Sequence, residues 1–259
     1  MKLAIAGKGG VGKTTVAALL ARRWAEEGRR VIAVDADPDA NLGSALGIPE
    51  EVLARITPIA RMEELVRERT GARPGQVGSW FILNPRVEDL PEKLWVEDRG
   101  VRLLVMGGIR GGGAGCACPE NALLKAMLRH LVLGREEELV CDMEAGLEHL
   151  GRGTAHGVDR LLVVVEPSHR SLQTAHAVAA LASELGLRRV VAVANKVADP
   201  EQRDFVEAHL NLPLLHCLPH DPQLRRADML DTGVWEASPL LRREIGVLAR
   251  RLRAEVQPS

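Results

Sequence analysis

Two short stretches carry most of the chemistry available to this chain of 259 residues. The first is Gly7-Lys8-Gly9-Gly10-Val11-Gly12-Lys13-Thr14, followed by Thr15. Glycines at these spacings let successive backbone N–H groups turn inward around phosphate oxygens. A helix opening at the end of the motif adds the positive end of its dipole. In such a loop Lys13 meets the β- and γ-phosphates, and the Thr14 hydroxyl coordinates Mg²⁺. The second stretch is Cys116-Ala117-Cys118-Pro119, at the end of a glycine-rich run that begins at Gly107. Two thiols at i and i+2 can face one ion, and a helix starting at Pro119 favours the Cys118 thiolate. One such pair is half of a tetrahedral thiolate set. A two-fold dimer axis through the loop supplies the other half, because that interface presents the same patch twice. Thiolate softness leaves Zn²⁺, Ni²⁺, Cu(I) and Fe–S clusters open.

Carboxylates extend the phosphate chemistry. Asp35 and Asp37, spaced i, i+2 after an apolar run, can orient water near a γ-phosphate or surround a metal. Asp142 closes the apolar run Glu138-Leu139-Val140-Cys141, where a water-mediated Mg²⁺ contact belongs. Cys141 and Cys217 lie in strand-like runs and read as small buried hydrophobes.

These groups need a scaffold, and the pattern around them supplies one. Near-continuous apolar runs at 2–6, 30–35, 101–106, 138–142, 160–166, 190–194 and 212–218 read as parallel strands covered on both faces. Helical periodicities separate them, at 14–27, 119–133, 168–185 and 201–210. The alternation predicts one α/β domain over 1–259, doubly wound, with a mostly parallel sheet flanked by helices. Ligands then bind beyond the carboxyl ends of the strands. The less regular segment 49–98 reads as an insertion within that domain.

Composition narrows the function classes. With 34 basic and 35 acidic residues the net charge is -1, which argues against bulk nucleic-acid binding. The aromatic residues are four Trp and two Phe, a poor supply for base stacking. No apolar run approaches the ~20 residues that cross a bilayer. The four cysteines are too few for a disulfide scaffold of this size, so a cytoplasmic protein with reduced thiols is expected.

Lys8 carries a family resemblance. Gly-Lys-Gly-Gly-Val-Gly-Lys-Thr resembles the deviant phosphate loop of the MinD/ParA-type ATPases. That resemblance implies a nucleotide-sandwich homodimer in which Lys8 reaches the partner's phosphates. It assigns Asp37 to the attacking water and Asp35 to the Mg²⁺ surroundings. Asn195 matches the family's adenine-reading asparagine, and Pro219 lies in the 218–221 turn that usually lines the base. Guanine-specific sites show Asn-Lys-x-Asp, whereas here Asp199 falls one place late, so ATP is expected over GTP.

The stretch Gly-Gly-Gly-Ala-Gly-Cys-Ala-Cys-Pro narrows the likeness further. With 142–153 (Asp-Met-Glu-Ala-Gly-Leu-Glu-His-Leu-Gly-Arg-Gly), it is similar to the CooC-type nickel-insertion accessory ATPases of carbon monoxide dehydrogenase. The implied function is an ATP-hydrolysing metallochaperone. Its paired Cys116 and Cys118 motifs hold Ni²⁺ or Zn²⁺ at the dimer interface for a metalloenzyme client. Two other readings follow from the wider family: a partitioning or positioning ATPase, and a redox ATPase with a bridging Fe–S cluster. The nitrogenase iron protein has one cluster cysteine in a glycine-rich loop that matches Cys116 and a second after the segment matching 143–146, and 147–154 here contains none. The C-terminal stripe Leu241, Ile245, Leu248, Leu252 reads as a helix face packed on the sheet, and no stable membrane association is expected.

Overall fold

A computed structural model describes residues 1–37, 39–74, 80–107, 118–134, 137–144, 147, 150, 152–229 and 232–254. Among them the strands are β1 (Lys2–Ala6), β2 (Val31–Asp35), β3 (Val96–Asp98), β4 (Val101–Val105), β5 (Glu138–Asp142), β6 (Arg160–Val165), β7 (Val190–Val197) and β8 (Leu214–Pro219). They form one sheet in the order β3-β4-β2-β5-β1-β6-β7-β8. Every neighbouring pair is parallel except β3–β4.

The α-helices are α1 (Lys13–Glu26), α2 (Leu42–Ala45), α3 (Glu50–Leu53), α4 (Glu63–Thr70), α5 (Pro91–Leu94), α6 (Pro119–Leu133) and α7 (Arg152–Ala155). They continue with α8 (His169–Glu184), α9 (Pro200–His209), α10 (Gln223–Met229), α11 (Val234–Ala237) and α12 (Pro239–Ala254). Several begin where their sequences stop them from beginning earlier. Ser168 and Asp199 accept the Ser171 and Gln202 backbone N–H groups, and Pro119 and Pro200 hold the first helical position of α6 and α9.

Both faces of the sheet are apolar because successive strand residues point opposite ways. In β1, Leu3 and Ile5 enter one core with Val16, Leu20 and Trp24 of α1 and Leu241, Ile245, Leu248 and Leu252 of α12. Ala4 and Ala6 enter the other, with Leu124, Met127 and Leu131 of α6 and Leu172 and Ala175 of α8. The α12 stripe is therefore core, packed beside α1 and β8.

Two details depart from the strand pattern. The segment 49–98 contributes an antiparallel edge strand, β3, which joins β4 through Arg99 and Gly100. Both turn residues have positive φ, 44° and 77°, as a two-residue hairpin of the right twist requires. The same segment buries Ile59, Val66, Val87 and Leu90 in the core under α6. In addition, β7 runs past Ala194 to Val197, through a bulge opposite β8, so that Asn195 lies within the strand rather than after it. No helix among the described residues is long and apolar enough to cross a membrane.

Candidate nucleotide site

The carboxyl ends of β1, β2 and β5 meet at one edge, and the loop 7–12 turns there between β1 and α1. Close approach explains its glycines. A Cβ on Gly7 would stand 2.4 Å from the Val164 carbonyl oxygen, and one on Gly12 would stand 2.3 Å from Asn195 Nδ2. Gly12 also has φ +94°, in the left-handed region. A Gly12→Ala substitution is expected to cost about 1–2 kcal/mol for the backbone alone. If that cost falls on the phosphate-binding conformation, ATP affinity drops about tenfold. Titration with a fluorescent ATP analogue checks this, and unchanged affinity would refute the close-packed loop.

The loop is clamped from the neighbouring strands. Asn195, buried in β7, donates from Nδ2 to the Val11 carbonyl at 2.9 Å. Lys196 donates from Nζ to the Gly10 carbonyl at 2.5 Å and lies 3.7 Å from Glu166. Lys196 has φ 60°, so the β7 bulge is what turns consecutive side chains toward one loop. Sequence reasoning placed Asn195 at the base and gave Lys196 no role; the adjacent amide and ammonium were the available signal. Pro219 pairs with Val197 in register, which brings the 218–221 turn beside the end of β7.

The acidic groups converge. Asp35 and Asp142 stand directly across from each other on β2 and β5, and both are fully buried. Asp35 accepts the Leu42 N–H at 2.8 Å and the Asp37 N–H at 3.3 Å. Burial nevertheless pushes its carboxyl up to about 7, with the Asp142 charge adding to the rise. Burial also raises Asp142 to about 6, while the Thr14 hydroxyl and the Lys13 ammonium pull the other way. Both Asp142 oxygens are buried without a hydrogen bond of ordinary geometry, so the Thr14 hydroxyl lies near but does not satisfy them. A buried carboxylate short of partners beside a threonine hydroxyl suits a hard divalent cation with oxygen ligands. Lys13, also buried, reaches to 4.0 Å from Asp37 Oδ2. Lys13, Thr14, Asp35, Asp37 and Asp142 thus share one edge of the sheet.

On the solvent side, Gly9 and Gly10 would meet nothing within 4 Å if they carried a Cβ. Lys8 beside them is half-buried and makes no ion pair with a described residue. Thr15 lies within the first turn of α1, which Lys13 opens.

Cys118 is the N-cap of α6, buried and extended, with its carbonyl accepting the Ala122 N–H at 3.1 Å. Cys116 lies outside the described residues, as do Gly146, Glu148 and His149. The other two cysteines behave as packing groups. Cys141 is buried in the core, where desolvation pushes its thiol well up. Burial also raises Cys217, against the pull of Arg203 and Arg251. His216 is accounted for by Glu244, at 2.8 Å. Among the described residues no three His, Cys, Asp or Glu side chains are grouped to hold a metal.

A glycine-rich loop between a strand and a helix, an invariant-type lysine inside it and a buried aspartate on the adjoining strand define a phosphate-loop ATPase. The chain belongs to the CobQ/CobB/MinD/ParA nucleotide-binding domain family, whose sequence profile matches residues 2–232. It is 46% identical over 260 residues to the carbon monoxide dehydrogenase accessory protein CooC of Rhodospirillum rubrum, covering 100% of this chain and 98% of that one. An uncharacterised ATP-binding protein of Methanocaldococcus jannaschii is 42% identical over 233 residues, with 89% of each chain covered. In fold, the chain matches the MinD cell division protein of Aquifex aeolicus with a TM-score of 0.67 at 22% identity, over 100% of this chain and 99% of that one. The protein is an ATPase that uses ATP.

Proposed function

We propose that this ATPase is a metallochaperone that loads nickel in a nucleotide-dependent homodimer and assists its insertion into carbon monoxide dehydrogenase or a related metalloenzyme. The observation that carries the reading is the attachment of the cysteine loop to the nucleotide site. Met106 and Gly107, which lead from β4 into that loop, donate their N–H groups to the Asp35 carbonyl at 2.8 and 3.3 Å. Asp35 and Asp142 pair across β2 and β5, so a change around the metal at the phosphates acts on the strand end that precedes the cysteine segment in the chain. The far end of the loop is fixed by Cys118 at the N-cap of α6. Support from outside the chain is the full-length similarity to the R. rubrum accessory protein.

In this reading Thr14, Asp35 and Asp142 hold Mg²⁺, which offsets phosphate charge when bound. Gly7 to Thr15 cradle the phosphates, Asn195 and Pro219 face the adenine, and Asp37 orients the attacking water. One amide hydrogen of Asn195 is committed to Val11, which leaves Oδ1 and the second hydrogen for the base. Lys8 stabilises the partner's phosphates. Two Cys116–Cys118 pairs, one per subunit, complete a four-thiolate set for Ni²⁺, with Zn²⁺ the competing ion. The cytoplasm is the compartment in which those thiols stay reduced.

Metal stoichiometry in the ADP and ATP states provides the test. The parental protein is expected to bind about one thiolate-ligated nickel per dimer, set by four sulfurs around one ion. The Cys116→Ser/Cys118→Ser variant should lose that ion and its sulfur-to-nickel charge-transfer absorption while retaining ATP hydrolysis. Full thiolate-type nickel binding in the double variant would overturn the proposal.

A further inference from the structure

A second constellation is formed by α8 and α9. His169 opens α8, His209 closes α9, and their rings form a triangle with Phe205. Centroid separations are 4.9 Å for His169–Phe205, 4.7 Å for Phe205–His209 and 5.6 Å for His169–His209. Both histidines are exposed, and Phe205 is half-buried beneath them.

The His209 tautomer follows from its partner. Nδ1 stands 2.8 Å from the Phe205 carbonyl oxygen, which can only accept, so Nδ1 carries the proton. The neutral ring then keeps its lone pair on Nε2. Proteins prepare imidazole ligands in this way, with one nitrogen donating to a backbone carbonyl and the other left for a metal. The stack on Phe205, interplanar angle 30°, fixes the ring plane. His169 stands at 85° to His209, and its ring makes no hydrogen bond to a described residue. Two imidazoles bound at ~2.1 Å to one ion at a tetrahedral angle have centroids about 5 Å apart. The observed centroid separation of 5.6 Å is close to that value. His176 lies two turns along α8, but its Nε2 already accepts the Asn211 N–H at 3.3 Å, so it stays out of the pair.

We propose that His169 and His209 form a transition-metal site separate from the cysteine pair, taking an imidazole-preferring divalent ion such as Ni²⁺ or Zn²⁺. Among the described residues no third protein ligand joins them, so water fills the other positions and the ion exchanges readily. Chain connectivity links the pair to the phosphate loop. β6 leads into α8 through Glu166, and Glu166 faces Lys196, which holds the Gly10 carbonyl of the phosphate loop.

The experiment titrates Ni²⁺, and in a second arm Zn²⁺, into the full-length chain carrying Cys116→Ser/Cys118→Ser, by calorimetry and absorption. Retained nickel binding with nitrogen and oxygen ligand-field bands and no thiolate charge transfer is expected. Adding His169→Ala or His209→Ala should weaken it by about tenfold or more, at least the loss seen when an outer-shell partner is removed. His176→Ala serves as the control and should leave it unchanged. ATPase rate and thermal midpoint, measured alongside, report folding. Absence of binding in the chain lacking the Cys116–Cys118 pair overturns the proposal, as does affinity in the His169 and His209 variants equal to that of the His176 variant. Broadening of the His209 ring protons by Ni²⁺ in that double-serine chain is the independent readout.

Discussion

Replacing Lys8 with alanine is expected to lower kcat for ATP hydrolysis by about 10³–10⁵-fold, the scale of a trans-acting cation at a phosphoryl transition state. ATP binding should change only a few fold, because Lys13 and the loop N–H groups remain. The structure separates the two lysines. Lys13 is buried and faces Asp37 at 4.0 Å, within its own subunit's site. Lys8 is half-buried, has no ion-pair partner among the described residues, and adjoins Gly9 and Gly10, whose outer side is open. A cation with no ion-pair partner among the described residues, beside glycines that present no side chain, can serve a phosphate chain brought up by a second subunit. Single-turnover hydrolysis with radiolabelled ATP, together with light scattering for dimer formation, checks the result. Parental kcat in the Lys8 variant would show that the cation is not used in the transition state.

Asp37→Ala should bind ATP at near-parental affinity and hydrolyse it about 10²–10⁴-fold more slowly, the contribution of a positioned general base. Dimer should accumulate as a result, since nucleotide stays unhydrolysed. The other two aspartates do not fit this role. Asp35 is fully buried and spends its oxygens on the Leu42 and Asp37 N–H groups. Asp142 is equally buried and lies against Thr14. Asp37 alone of the three is partly open, and among the described residues its carboxylate accepts the Asp39 N–H. Its carboxylate is partly open to water while Oδ1 keeps the Asp39 N–H and Oδ2 faces Lys13. Burst-free, slow phosphate release with a normal ATP dissociation constant is the expected pattern. Turnover at the parental rate would move the water-positioning role elsewhere.

Much of the site was legible in the chain because a phosphate loop is a local object. Its glycines, Lys13 and Thr14 lie within eight residues, so the motif is readable locally even though Asn195 and Lys196 clamp it from far along the chain. The strand positions were legible for a similar reason. A run such as Leu161-Leu162-Val163-Val164-Val165 is apolar on both faces and can only lie inside a doubly covered sheet. The β3 strand escaped notice because Val96-Glu97-Asp98 is short and charged, and its pairing depends on the positive-φ turn at Arg99 and Gly100. The end of β7 was misplaced because the bulge that extends it is set by β8, not by the residues of β7.

The sequence by itself determined the phosphate loop, the doubly wound α/β class and the pair of cysteines entering a helix at Pro119. Each follows from a few neighbouring residues acting through backbone conformation or apolar periodicity. The tertiary structure decided which distant groups meet. β5 inserts between β1 and β2, and that order alone sets Asp142 across from Asp35, 107 positions earlier in the chain, and beside Thr14. The same order brings Lys196 onto Gly10 and Asn195 onto Val11. Strand order is fixed by the packing of two whole cores, so no short stretch of chain contains it.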